Sequence, residues 1–464
     1  MSCVIFRYGF LFVVLSLASS SFAQDPGSGA GGGGFGRPAF ELDEQGRIDL
    51  SKLRDGMPAP FAEGMKKLDA NGDGFLDADE QKALSALRGG RGGGRQTASP
   101  TVPIEKMRAS LSDAERADLE ALRASMVAEG IAFLTKSQSE DGSFSASPRV
   151  GIGPTLIDVA GLLRAGVKLD EPILAKALAF LEKSVREDGG IYSEGLHLST
   201  YESCLGLVCF TLANRQAGDG RYDAIVEKAE KFVRGSQYNK ENGVEKEDEY
   251  FGGVGYGKGA MTRPDLSNTQ FFVEALREIG AGEDDPAIQD ALTFVSRCQN
   301  FETGDVVSSG RPSSNDGGFF YTFVAGEENP AGEEVDGGLR SYGSITYAGL
   351  KSLIYAGLTP DDPRVEAATG WIRQNYTLTQ NPGLGKRGLY YYYHTLSKCF
   401  QVLGEDLFED SNGKKHDWRR ELIEALALAE NADGSWVNET RYWYENDPKL
   451  VTGYVLIVLS YCER

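Results

Sequence analysis

Beyond residue 130 the apolar positions fall at helical spacing. The segments TLIDVAGLLRAGV, SCLGLVCFTLANR, SNTQFFVEALREIG, GSITYAGLKSLIYAG and YHTLSKCFQVLG each place apolar residues at i, i+3 and i+4, the pattern of a helix with one buried face. In the third, Phe272, Leu276 and Ile279 share a side. Gly follows several of these runs, as at a helix C-terminus. Two-residue alternation is scarce, so an all-α fold is expected.

A second helical pattern precedes each of these runs and gives six loose repeats. They start FLTKSQSEDGSF at Phe133, FLEKSVREDGGIY at Phe180, FVRGSQ at Phe232, FVSRCQ at Phe294 and WIRQNY at Trp371, and the sixth is ALALAENADGSW, ending at Trp436. In each, a helix runs into a Gly turn and an aromatic, and a second helix follows. Two helices in six repeats make twelve. Six such hairpins can close into a ring, an (α/α)6 toroid with inner helices around a central cavity and outer helices covering them. Gly permits close backbone approach at the turns, and the aromatic ring fills the space beside it.

The N-terminal part is organised differently. Arg7, the apolar run from Phe10 to Ala18 and the small residues Ser21 and Ala23 read as a signal peptide over residues 1–23, so the protein is expected to be secreted or periplasmic, with no transmembrane segment after cleavage. Residues 24–40 are Gly-rich, and residues 89–102 form a second such linker. They isolate a unit over 41–88 from a domain over 103–464.

The small unit carries the sharpest motif. DANGDGFLDADE, residues 69–80, fits the twelve-residue EF-hand calcium loop. Asp69, Asn71 and Asp73 supply side-chain oxygens at positions 1, 3 and 5. Gly74 allows the sharp turn, Phe75 offers its carbonyl, Asp77 acts directly or through water, and Glu80 closes the site with two oxygens. Hard oxygen donors in this pattern suit Ca²⁺. Upstream, ELDEQGRIDLSK (residues 41–52) aligns as a partner loop, but Lys52 stands where the bidentate carboxylate belongs. It is read as a degenerate hand that supports its neighbour through Ile48 and Leu76.

The helical repeats resemble the QW-type repeats of the terpenoid cyclase and protein prenyltransferase superfamily, over roughly residues 120–464. GGVGY at 252–256 with RPDLSNTQ at 263–270 looks like a squalene-cyclase-type repeat. Tyr393-His394-Thr395 looks like the segment carrying a zinc-ligand histidine in prenyltransferase β subunits. The resemblance implies the toroid and its central cavity. It does not extend to the chemistry. In Val335-Asp336-Gly337-Gly338, Gly338 stands where the zinc-ligand Cys belongs, which disfavours Zn²⁺, and the cyclase Asp-x-Asp-Asp acid is missing from 103–464. Asp284-Asp285-Pro286 and Asp361-Asp362-Pro363 read as helix caps. The candidate catalytic residues are His394, as acid or base near neutrality, and Asp336, as its orienting partner. Arg340, Tyr342, Tyr391, Tyr393, Trp436 and Trp443 are the candidate cavity wall.

Composition narrows the partners. Among 464 residues, 68 acids and 48 bases give a net charge of −20, which repels phosphate backbones and argues against nucleic acid. Cys204, Cys209, Cys298, Cys399 and Cys462 are scattered and odd in number, so they do not make a disulfide framework. Three functions stay open. One is an exported cyclase-like enzyme acting on an isoprenoid or another extended substrate. The second is an exported calcium-binding protein whose toroid serves binding or assembly. The third is a toroid that processes polysaccharide. An apolar, aromatic-lined cavity favours the first, and a polar cleft with paired carboxylates the third.

Overall fold

A computed structural model describes residues 48–49, 75–76, 119–144, 150–257, 263–302, 311–325 and 328–463. The signal segment, the Gly-rich stretch, the linker and every proposed calcium ligand except Phe75 lie outside the described residues. The chain divides into two compact units, Met1–Pro100 and Thr101–Arg464.

In the first unit, a two-residue strand β1 (Ile48–Asp49) pairs antiparallel with β2 (Phe75–Leu76). Ile48 lies opposite Leu76, and Asp49 opposite Phe75. Ile48 and Leu76 hold the eighth position of their respective loops, so the pairing joins the two segments read as hands.

The second unit contains twelve α-helices among the described residues. The odd-numbered ones are α1 (Leu119–Ser137), α3 (Pro172–Glu182), α5 (Asp223–Arg234), α7 (Pro286–Arg297), α9 (Pro363–Asn375) and α11 (Trp418–Ala429). The even-numbered ones are α2 (Gly153–Arg164), α4 (Ser199–Ala217), α6 (Leu266–Glu278), α8 (Gly343–Tyr355), α10 (Leu389–Leu403) and α12 (Pro448–Tyr461). Each even helix packs on the next, α2 on α4 and so on to α12, and α12 packs back on α2. The even helices therefore form a closed inner ring. The odd helices cover it, and α1 touches both α11 and α12, completing the outer layer. The fold is an (α/α)6 toroid.

Local chemistry starts α7 and α9 at the two Asp-Pro caps expected from the sequence, and starts α12 at a third. Asp285, Asp362 and Asp447 each accept a hydrogen bond from a backbone N–H two residues on, at 2.9, 2.9 and 3.0 Å, with Pro in the first turn. The repeat turn is held by two further devices. Gln138, Gln237 and Gln299, each just past an outer helix, donate both to the carbonyl of their own turn glycine and to a first-turn carbonyl of the next outer helix. In five repeats the N–H at or beside the turn's aromatic position (Phe144, Ile191, Val254, Phe319, Trp436) donates to a Ser or Thr early in the following inner helix. Gly434 seats the last turn against the first outer helix: its φ is +79°, and a Cβ there would lie 2.8 Å from the Glu129 carbonyl oxygen. The ring closes through the same turn that spaces its members.

Candidate functional site

An amphipathic helix at a surface hides one face. The inner helices hide nearly all of theirs: residues 153–163 of α2, 343–353 of α8 and 450–459 of α12 are buried without a break. The side facing the hub is as covered as the side facing the outer ring. Partial exposure in α4, α6 and α10 includes Tyr201, Ser267 and Tyr391 in their first turns. Among the described residues side chains occupy much of the expected hollow hub, and a cavity of about 20 Å³ lies between α2, α4, α6, α10 and α12. It is bounded in part by Arg164, Cys204, Glu274, His394 and Tyr461. That volume holds roughly one water molecule.

Two layers fill the hub. Toward the N-terminal ends of the inner helices lies an aromatic layer. Phe271 packs edge-on to Tyr201 at 5.5 Å between ring centroids. His394 lies near-parallel to Phe271 at 6.4 Å and 5.6 Å from Tyr454. The Tyr391 hydroxyl is 3.0 Å from the Ser267 hydroxyl. Toward the C-terminal ends lies a charged layer. Lys351 Nζ donates to Glu274 Oε2 at 2.5 Å and to Gln270 Oε1 at 2.6 Å. Arg164 donates to Glu278 at 2.6 Å and lies over the Tyr461 ring, which Lys398 also faces at 4.5 Å. Burial pushes Glu274 toward its neutral form, but Lys351 and Lys398 outweigh it and hold the carboxyl well below its ordinary range. Burial draws the Lys351 ammonium down, and Glu274 opposes that fall.

His394 sits at the join of the layers, 3% exposed, with neither ring nitrogen hydrogen-bonded. Burial brings its pKa down to about 3; Glu274 pulls upward, and Lys351, Lys398 and Arg164 add to the fall. Burial thus favours the neutral imidazole, and no hydrogen-bonded carboxylate orients it.

The expected partner is also elsewhere. Asp336 is exposed in the turn before α8, and its Oδ1 accepts from the Gly338 N–H at 3.0 Å. Asp141 and Asp316 make the same bond, two residues on, in other repeat turns, so Asp336 shapes a turn and is not among the charged neighbours of His394.

The remaining candidates separate. Arg340 is exposed and pairs with Glu334 at 2.9 Å. Tyr342 is buried before α8, and Tyr393 is buried with its hydroxyl on the Leu378 carbonyl. Trp436 is buried, its indole N–H donating to the Leu426 carbonyl at 2.8 Å. Trp443 lies on the surface. Of the set, His394 and Tyr391 face each other in the hub.

Asp158 on α2 is wholly buried with both carboxyl oxygens unpartnered. Burial, and Asp447 after it, raise its pKa far above the carboxylate range, so it is a neutral acid at the seam with α12. The five described cysteines are buried and unbridged. Burial pushes the Cys399 thiol up to about 12, which leaves it inert as a thiolate. Among the described residues, no three His, Cys, Asp or Glu side chains group as a metal site, and no helix is long and apolar enough to cross a membrane.

No family model and no curated protein matches this chain. Solved structures similar to it include the type II terpene cyclase MstE from Scytonema, at 13% identity over 73% of this chain and 97% of that one, with a TM-score of 0.44. The GH76 α-mannanase of Bacteroides thetaiotaomicron is similar at 8% identity over 73% and 95%, TM-score 0.45. A glycosidase is similar at 12% identity over 76% and 99%, TM-score 0.43.

Proposed function

We propose that this is an exported calcium-binding protein whose toroid binds a partner rather than transforming a substrate in its hub. The filled hub carries the reading. Pockets for small molecules are typically about 300–1,000 Å³, against about 20 Å³ for the hub cavity among the described residues. The one imidazole in that cavity is held neutral and without a carboxylate bonded to it. The two hub layers leave little room among the described residues, which turns the proposal toward recognition on the outer surface.

Calcium belongs to the N-terminal unit. The side chains of Asp69, Asn71, Asp73, Asp77 and Glu80 and the Phe75 carbonyl would hold it. The Ile48–Leu76 register supports this, because it brings the two loops together at equivalent positions. The ion would contribute structure by gathering carboxylates that otherwise repel. Isothermal titration of Ca²⁺ into the full-length chain is expected to show one site. The affinity should fall in the range of extracellular modules, a Kd of about 10⁻⁴–10⁻³ M. Glu80→Gln removes the bidentate ligand and is expected to weaken it at least about tenfold. Equal affinity in both proteins rejects the assignment.

A further inference from the structure

The surface segment Tyr442-Trp443-Tyr444, between the sixth repeat turn and α12, displays three aromatic rings that are 42%, 40% and 38% exposed. Its backbone is costly. Trp443 and Tyr444 have φ of 53° and 61°, a left-handed conformation that bulky side chains rarely adopt and that tends to persist at functional sites.

The surroundings hold the segment in place. Trp443 packs on Gly388, where an added Cβ would lie 3.0 Å from its ring. Beneath it, buried Glu445 accepts from the Tyr391 N–H at 2.8 Å and the Asn438 amide at 2.6 Å. The Asn438 N–H donates to the Glu445 carbonyl at 2.7 Å. The rings are therefore displayed by a fixed loop.

The rim is basic in a chain of net charge −20. The Arg387 guanidinium lies 5.2 Å from the centre of the Tyr442 ring and is anchored to the Leu384 and Pro330 carbonyls. Half-buried Lys386 is tied to the same loop through its carbonyl, which accepts from Asn438 at 2.7 Å. Arg441 is exposed beside Tyr442, and Lys449 follows at the start of α12. Against these four cations, the acids of the same segment are Glu439, which faces Lys386; Asp447 at the start of α12; and the buried Glu445.

We propose that this aromatic platform and its basic rim bind an acidic polysaccharide, the rings stacking on sugar C–H faces and the cations pairing with its carboxylates. This deepens the binding reading above by naming a ligand class. At physiological salt, screening cuts off charge interactions beyond about 8 Å, so a bound uronate meets the local cations and not the distant acidic surface. Single-stranded nucleic acid also stacks on aromatics, but its denser charge is opposed more strongly by the acidic chain.

The test is retention of the full-length protein on immobilised polygalacturonate, with neutral dextran, poly(dT) and anionic phospholipid vesicles as comparisons. Selective binding to polygalacturonate is expected, weakening as NaCl rises. Trp443→Gly removes the ring and relieves the left-handed strain; it is expected to bind at least about tenfold more weakly with an unchanged melting temperature. Arg441→Ser should weaken binding and flatten its salt dependence. Absence of wild-type binding at low salt, equal or stronger binding to any comparison probe, or unchanged binding by Trp443→Gly overturns the proposal. Such a failure leaves the filled hub standing, whereas turnover of a substrate within the hub would remove the binding reading whatever polygalacturonate does.

Discussion

Lys351→Met is expected to lower the free energy of unfolding by about 3–5 kcal/mol, the penalty for leaving a buried carboxylate without its partner. Lys351 is wholly buried on α8, and its ammonium joins Glu274 and Gln270 of α6. The Met side chain fills the same volume but strands Glu274. The double variant Lys351→Met/Glu274→Leu removes both charges and is expected to recover most of the loss, since a packed apolar pair replaces an ion pair at little net cost. Urea denaturation of the single and double variants measures this. The pH dependence has a definite sign. The folded pKa of Glu274 lies below its ordinary 4.5. The ion pair therefore stabilises the protein above about pH 4.5 and is lost as pH falls through the depressed value. The single variant is expected to weaken that trend, because Glu274 loses its hydrogen-bonded cation and keeps only the charge of Lys398 nearby. A single-variant cost under about 1 kcal/mol would remove the charged layer from this account of the hub.

Gly252→Ala is the second large effect. Gly252 has φ of +86°, and an added Cβ would lie 1.9 Å from the Asp290 carbonyl oxygen on α7. Backbone oxygen inside a helix cannot yield, so the substitution pushes the third repeat off the fourth. A loss of more than about 2 kcal/mol is expected, combining left-handed strain with the displaced helix. Gly218→Ala separates the two causes. Its φ is +65°, but an added Cβ meets nothing within 4 Å, so strain alone acts and about 1–2 kcal/mol is expected. Thermal melts of both variants test whether the repeat turns are the spacers of the ring; equal losses would say they are not.

Those turns were legible because their chemistry is local. Helical periodicity gave the outer helices and five of the inner ones, and Asp-Pro pairs gave caps that the structure places at α7 and α9. The sixth inner helix, PKLVTGYVLIVLSY, was not singled out. A helix buried on all sides shows no polar stripe to mark its period. The Ser and Thr acceptors that recur in the inner helices were visible as letters, but their partners lie 11 to 27 residues away.

The hub was hardest to read. Glu274 and Lys351 each stand alone in an apolar run, FFVEAL and AGLKSL. A lone charge on a buried face is a signal that it has a partner, but which one depends on α6 and α8 being neighbours. Asp336 was assigned to His394 through a family resemblance. Its own sequence, Asp-Gly-Gly, repeats the turn at Asp316 and already described its role. His416 had no partner in the sequence pattern. A short hairpin, β3 (Phe408–Glu409) with β4 (Lys415–His416), brings it to Asp410, and the start of α11 brings Glu421 to 2.9 Å from its other nitrogen. Both partners are close in the chain, but the hairpin that aims them is too short to leave an alternating pattern.

The central claim is that the described inner helices pack across the hub, so that the protein takes up no extended apolar ligand there. Equilibrium titration of the full-length protein with a fluorescent C20 isoprenoid, competed by the unlabelled compound, tests it most directly. The account predicts no saturable uptake. One-to-one binding that the unlabelled compound displaces would contradict it.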